Sequence, residues 1–282
     1  MQRRQFLAAV GVGVTSSAAG CASNGGQSGG TPAMNAPFEH AGTVEARMVA
    51  NGDYPADDDP ADGYPPTFPD PPESPTADPA TFETITTNDE TIRLAPIDVV
   101  EAWYKRGEAR FVDARGLHQY EHAHIYGSVL SPAQKQSDGG AIPDWPREDR
   151  VVTYCGCPHH LSSLRAAGLQ KAGYSAVYAI DEGFGVWSDR SYPMAGSTFA
   201  SETESSISEW TIEGTVDGQH AGEYAWASAD RQYEAAPIGG DGRFSLHLKF
   251  ANVSSQTQVQ VSTPTFSVTK PLGELVDGVV DG

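Results

Sequence analysis

The sequence predicts an α/β fold, a mostly parallel sheet flanked by helices, followed by a small all-β sandwich. Three observations predict it. Across residues 82–197 short apolar runs alternate with stretches of helical periodicity, the pattern of strands joined by crossover helices. After residue 198 that periodicity stops, and short alternating runs are separated by Gly, Asp, Asn or Pro. The length, 282 residues, exceeds one small core and suits about two domains with linkers.

Residues 1–21 read as an export address. Arg3-Arg4-Gln5-Phe6-Leu7 resembles a twin-arginine signal, a mildly apolar stretch follows, and Ala18-Ala19-Gly20-Cys21 resembles a lipobox. Cys21 is expected to carry a lipid and become the mature amino terminus, anchored to the outer face of the cytoplasmic membrane. Residues 22–80 are rich in Gly, Ser, Pro and Asp; their repelling carboxylates and stiff prolines read as an extended spacer with no core of its own.

Residues 81–198 form the predicted α/β domain. A strand is expected over 91–94, then a helix over 95–104 opened by Pro96, with Val99, Val100 and Trp103 on one face. A buried strand follows over 109–113, a short helix over 119–124 and a strand over 125–130. The run 151–154 is a strand, 163–172 a helix stopped by Gly173, 175–180 a strand and 184–188 a last helical turn. Residues 199–282 are the predicted sandwich, with strands over 210–216, 223–228, 232–237, 243–250, 257–261 and 266–269.

Composition excludes some functions. A net charge of −19, with 37 acidic and 18 basic residues, leaves no basic surface for nucleic acid. Lysine is confined to Lys105, Lys135, Lys171, Lys249 and Lys270. Such an acidic, lysine-poor surface stays soluble in high salt, so a halophilic source is expected. The 3 cysteines, Cys21, Cys155 and Cys157, cannot frame a disulfide scaffold of this size.

The chemistry concentrates in one segment. An apolar strand ends at Cys155, a short loop of Gly156, Cys157, Pro158, His159, His160, Leu161 and Ser162 follows, and the helix is expected to open at Ser163. That places a thiol at the carboxyl end of a buried strand, facing loop amides and a helix start that lower a thiol pKa and cradle an anion. Cys157 has three readings: a resolving thiol, a metal ligand with Cys155, His159 and His160, or a residue packed under the loop. A protonated His159 or His160 would assist the thiolate. Arg165, one turn into the helix, reads as a surface residue. No resident cofactor is expected.

Phe111-Val112-Asp113-Ala114-Arg115, the stretch Tyr120-Glu121-His122-Ala123-His124-Ile125-Tyr126-Gly127-Ser128, Val152-Thr153-Tyr154-Cys155, Glu182-Gly183-Phe184 with Trp187, and Tyr192-Pro193 together resemble a rhodanese-like domain. The resemblance implies a sulfurtransferase in which Cys155 takes sulfane sulfur from a small donor such as thiosulfate, holds it as a persulfide and passes it to a thiol acceptor. It implies structural roles for Asp113, Arg115 and His124. The loop departs from the family pattern: no arginine lies between Cys155 and Ser163, and Leu161 stands where a phosphatase would need one. The alternatives are a non-catalytic rhodanese-fold binding module, with a cell-surface protein as partner of the sandwich, and a Cys/His metal-binding loop.

Overall fold

Residues 63–65, 68, 70–134, 142, 145–156, 159–199 and 207–282 are described by the structure, a computed structural model. The expected signal, Cys21 and most of the expected spacer lie outside them.

The first hairpin joins β1 (Thr84–Thr87) to β2 (Glu90–Ala95) through Asn88 and Asp89. Both turn residues have positive φ, 51° and 67°, the twist that a two-residue hairpin turn demands. The chain continues through α1 (Ile97–Lys105), β3 (Arg110–Asp113), α2 (Leu117–His122), β4 (His124–Ile125), β5 (Val129–Leu130) and β6 (Arg150–Tyr154). Then come α3 (His160–Lys171), β7 (Ala176–Ile180), α4 (Gly183–Asp189) and β8 (Met194–Ala195). The main sheet has the order β1-β2-β7-β6-β3-β5, parallel except for β1.

Successive residues of the central strands serve opposite faces. Phe111, Val152 and Tyr154 join Trp103, Tyr104 and Trp187 under α1 and α4, while Val112, Val151 and Val177 join Ala166 and Leu169 under α3. This two-sided burial explains the near-continuous apolar strands.

Four readings need correction. The strand expected over 125–130 is split, because Gly127 turns the chain at φ 89° and Ser128 N–H bonds Ile125 O at 2.9 Å. Its first half, β4, leaves the main sheet to pair with β8, and its second half, β5, stays beside β3. α3 opens at His160 rather than Ser163, since Ser163 N–H already closes a helical turn onto His159 O at 2.8 Å. Arg165 is 1% exposed, not a surface residue. Finally, the carboxyl end of the expected spacer is docked: Phe68 packs edge-on against Tyr104, and Phe111 N–H bonds Gly63 O at 2.7 Å.

After β8 come β9 (Ser208–Thr215), β10 (Tyr224–Ala229), β11 (Gln232–Pro237), β12 (Arg243–Phe250), β13 (Gln258–Ser262) and β14 (Ser267–Pro271). α5 (Leu272–Val276) and β15 (Val279–Val280) end the chain. They make two sheets, β11-β10-β13-β14 and β12-β9-β15, whose inward residues share one apolar cluster. α5 departs from the all-β reading; its Leu272 and Leu275 plug that cluster. β15 runs parallel to β9, and every other pairing in these sheets is antiparallel. Among the described residues no helix is long and apolar enough to cross a membrane.

Candidate functional site

Cys155 is the first residue after β6, a strand held between β3 and β7. Parallel neighbours bring their own carboxyl ends to the same edge, as open α/β sheets do at their sites. From β3 come Asp113, Ala114 and Arg115; from β7, the turn into α4. Ala114 N–H bonds Tyr154 O and Phe184 N–H bonds Cys155 O, each at 2.9 Å, so both flanking loops are tied to the cysteine's own backbone.

Beneath the loop lies a buried ion pair. Arg115 donates through Nε and Nη2 to Asp113, at 2.9 and 2.6 Å, and Nη2 also reaches Ala123 O at 2.6 Å. The guanidinium lies over the Phe184 ring at 4.2 Å. Burial works against the Arg115 charge, yet Asp113, its hydrogen bonds, and then Tyr154 and Cys155 more than offset it and raise the arginine's pKa. Arg115 thus joins Asp113 at the end of β3 to the Ala123 carbonyl after α2.

The Cys155 sulfur lies 3.4 Å from Ser162 Oγ, in the first turn of α3, the positive end of that helix dipole. The residue is wholly buried. It packs in one cluster with Ala114, Ala133, Leu161, Leu164 and Ala235, and Tyr224 and Trp226 lean on that cluster. In this conformation the thiol therefore has no opening to solvent. Gly156 is buried as well, and Cys157 and Pro158 lie outside the described residues.

The cover comes from the C-terminal sheets. β11 runs against α3, which explains why Leu161, Ser162, Ser163, Leu164, Arg165, Ala166 and Ala167 are all buried. A helix sandwiched between two sheets has no solvent face to keep polar. The junction is close. Gln119 Oε1 accepts from both Gly116 N–H and Tyr233 N–H at 3.0 Å. Gly116 has no room for a side chain, since a Cβ there would stand 2.1 Å from Arg231 O.

Burial disfavours the positive charge expected of the two loop histidines. Burial lowers the His159 pKa despite the pull of Asp181, whose carboxylate is 3.4 Å away. Burial also lowers that of His160, helped by His247 and His159. His160 Nδ1 stands 3.9 Å from the buried Glu234. Among the described residues no group of three metal-ligating side chains comes together. His124 stacks on Tyr120 with ring centres 3.8 Å apart, consistent with a structural role.

Sequence reasoning missed Ala235, Glu234 and Lys249 as neighbours of the loop. The only signal was the alternation of β12, which aligns Ser245, His247 and Lys249 on one face.

Residues 97–190 match the rhodanese-like domain family. Together with the described topology, this defines a rhodanese fold followed by antiparallel sheets. Among solved structures the chain is similar to the rhodanese-like domain from Anabaena sp, at 20% identity over 41% of this chain and 86% of that one, TM-score 0.35. It is also similar to thiosulfate sulfurtransferase from Pseudomonas aeruginosa, at 20% identity over 37% of this chain and 20% of that one, TM-score 0.32. A human single-domain sulfurtransferase is similar at 14% identity over 34% of this chain and 96% of that one, TM-score 0.31. Nothing among the curated proteins matches.

Proposed function

We propose that the chain is a sulfurtransferase carrying sulfane sulfur on Cys155, with the nucleophile closed over by the C-terminal sheets in the conformation described. One observation carries this reading. The sulfur stands at the carboxyl end of β6, against Ser162 in the first turn of α3 and beside the buried Asp113–Arg115 pair. Helix dipole and guanidinium together put positive potential next to it.

The reaction follows from that placement. Cys155 loses its proton to solvent and attacks the outer sulfur of a thiosulfate-type donor. A sulfur–sulfur bond to Cys155 forms as the donor's own breaks, and the electron pair of the broken bond leaves with sulfite. An acceptor thiolate then attacks the terminal sulfur, departs as a persulfide and restores the Cys155 thiolate. β11 must yield at Ala235 for either partner to reach the sulfur. Export and a lipid anchor on Cys21 belong to the same proposal and rest on the Arg3-Arg4 and Ala19-Gly20-Cys21 patterns.

The test is intact mass after incubation with thiosulfate. The wild type should gain one sulfur that reduction removes, Cys155→Ser should gain none, and Cys157→Ser should keep the adduct. A wild type that takes up sulfur from no donor sinks the proposal. The complete burial of Cys155 favours a second reading, a non-catalytic rhodanese-fold module whose cysteine is only a packing residue. That reading predicts the blank result.

A further inference from the structure

We infer that Lys249, delivered by β12, is the cation that recognises an anionic sulfur donor at the Cys155 loop, an inference that rests on the sulfurtransferase reading. The loop itself lacks the arginine expected between Cys155 and Ser163. Arg115, although coupled to the sulfur, is bound to Asp113 and only 6% exposed along its side chain. Its charge is committed to holding the edge together.

Lys249 reaches the loop from outside. A methyl built on Gly156 would lie 3.9 Å from Lys249 Cβ, so the lysine stem runs alongside the residue next to the nucleophile. A methyl built on Gly185 would lie 3.7 Å from Lys249 Nζ and 3.8 Å from Gly156 O. The ammonium and the loop backbone therefore border the same small space, which Gly185 leaves unfilled. The Lys249 side chain is 35% exposed, so part of it meets solvent with β11 in place.

Among the described residues Lys249 has one ion-pair contact, Glu209 at 3.3 Å, its register partner on β9. Glu209 is 65% exposed, and a pair so wet is weak enough to open for a competing anion. In a chain of net charge −19 an anion is repelled at long range, so a local cation decides whether it can approach the loop. The ligand class is a small anion bearing a sulfane sulfur, with its charged end at Lys249.

The experiment compares two alkylating reagents of nearly equal size on the full chain, iodoacetate and iodoacetamide, with fragment mass spectrometry separating Cys155 from Cys157. Any effect on thiolate formation enters both rates equally, so their ratio reports recognition of the reagent's charge. Lys249→Gln should lower the iodoacetate-to-iodoacetamide ratio about fivefold at low salt, the difference fading as salt rises. Lys249→Arg should restore it. An unchanged ratio, with both reagents still labelling, overturns the inference and leaves the Cys155 reading standing. So does an equal fall in both rates. A Cys155 inert to both reagents in the folded wild type sinks the sulfurtransferase reading, and this inference with it.

Discussion

Gly116→Ala tests whether the C-terminal sheets seal Cys155. The Gly116 backbone has φ −76°, which any residue adopts, so the substitution acts by steric conflict alone. The added methyl would stand 2.1 Å from Arg231 O, 2.9 Å from Arg231 C and 2.8 Å from Tyr233 Cδ2. Ordinary contact needs about 3.5 Å, so the backbone at the start of β11 must retreat by more than ~1 Å. That movement also pulls Tyr233 N–H from the Gln119 oxygen it shares with Gly116. Overpacking of this kind costs about 1–3 kcal/mol. If β11 gates the sulfur, the cost comes off the free energy of opening, and a loss of about 2 kcal/mol speeds labelling about thirtyfold. The assay is the rate of Cys155 labelling by a neutral maleimide under native conditions, alongside the denaturant midpoint. A lowered midpoint with an unchanged labelling rate would refute the reasoning, because the sulfur would then be sealed by something other than the docked strand.

Two further outcomes are expected. Asp113→Asn removes the countercharge from a buried guanidinium and should cost about 3–5 kcal/mol in denaturant unfolding; a loss below ~1 kcal/mol would contradict the pairing described. His122, His159 and His160 are each held below the usual 6.5 by burial. Below that value the unfolded chain takes up protons that the folded chain refuses, so their contribution is full above about pH 6.5 and is lost as pH falls towards the folded values. Unfolding of wild type and His160→Gln across this range should show a shallower acid loss in the variant, and an equal or steeper loss would count against the burial argument.

The fold was legible wherever a strand or helix faced a single environment. The strands at Phe111-Val112, Val151-Val152 and Val177 announced a doubly covered sheet by being apolar throughout, and β12 fell on its predicted residues because its buried positions alternate with more exposed ones. α3 was read too short and Arg165 misplaced for the opposite reason. Periodicity presumes a solvent side, and β11 has removed it. The place of Cys155 at the carboxyl end of β6 was legible from its strand and loop. Its neighbours Ala235 and Lys249 were not, since they arrive from more than 70 residues away and carry no local pattern. The burial that disfavours charge on His159 and His160 is invisible in a loop sequence.

The two contributions of the C-terminal sheets constrain how the site can open. Ala235 lies on β11, in the sheet with β10, whereas Lys249 lies on β12, in the sheet with β9. If the whole region swung away, the sulfur would be uncovered, but the cation would leave with the cover, and an anionic donor would meet an acidic surface unaided. On the proposed reading, a productive opening moves β11 while β12 stays against Gly156. The connections suit that division. β11 is the edge strand of its sheet, paired only with β10 and joined to it by a tight turn at Asp230 and Arg231, both at positive φ. β12 is fixed along its length to β9 in an eight-residue register. An edge strand has one set of strand-pairing bonds to break, and β11 must also release the two bonds between the Gln232 amide and the Ala251 backbone after β12, at 2.9 and 2.6 Å, whereas moving Lys249 would shear β12 from β9 or carry both strands together.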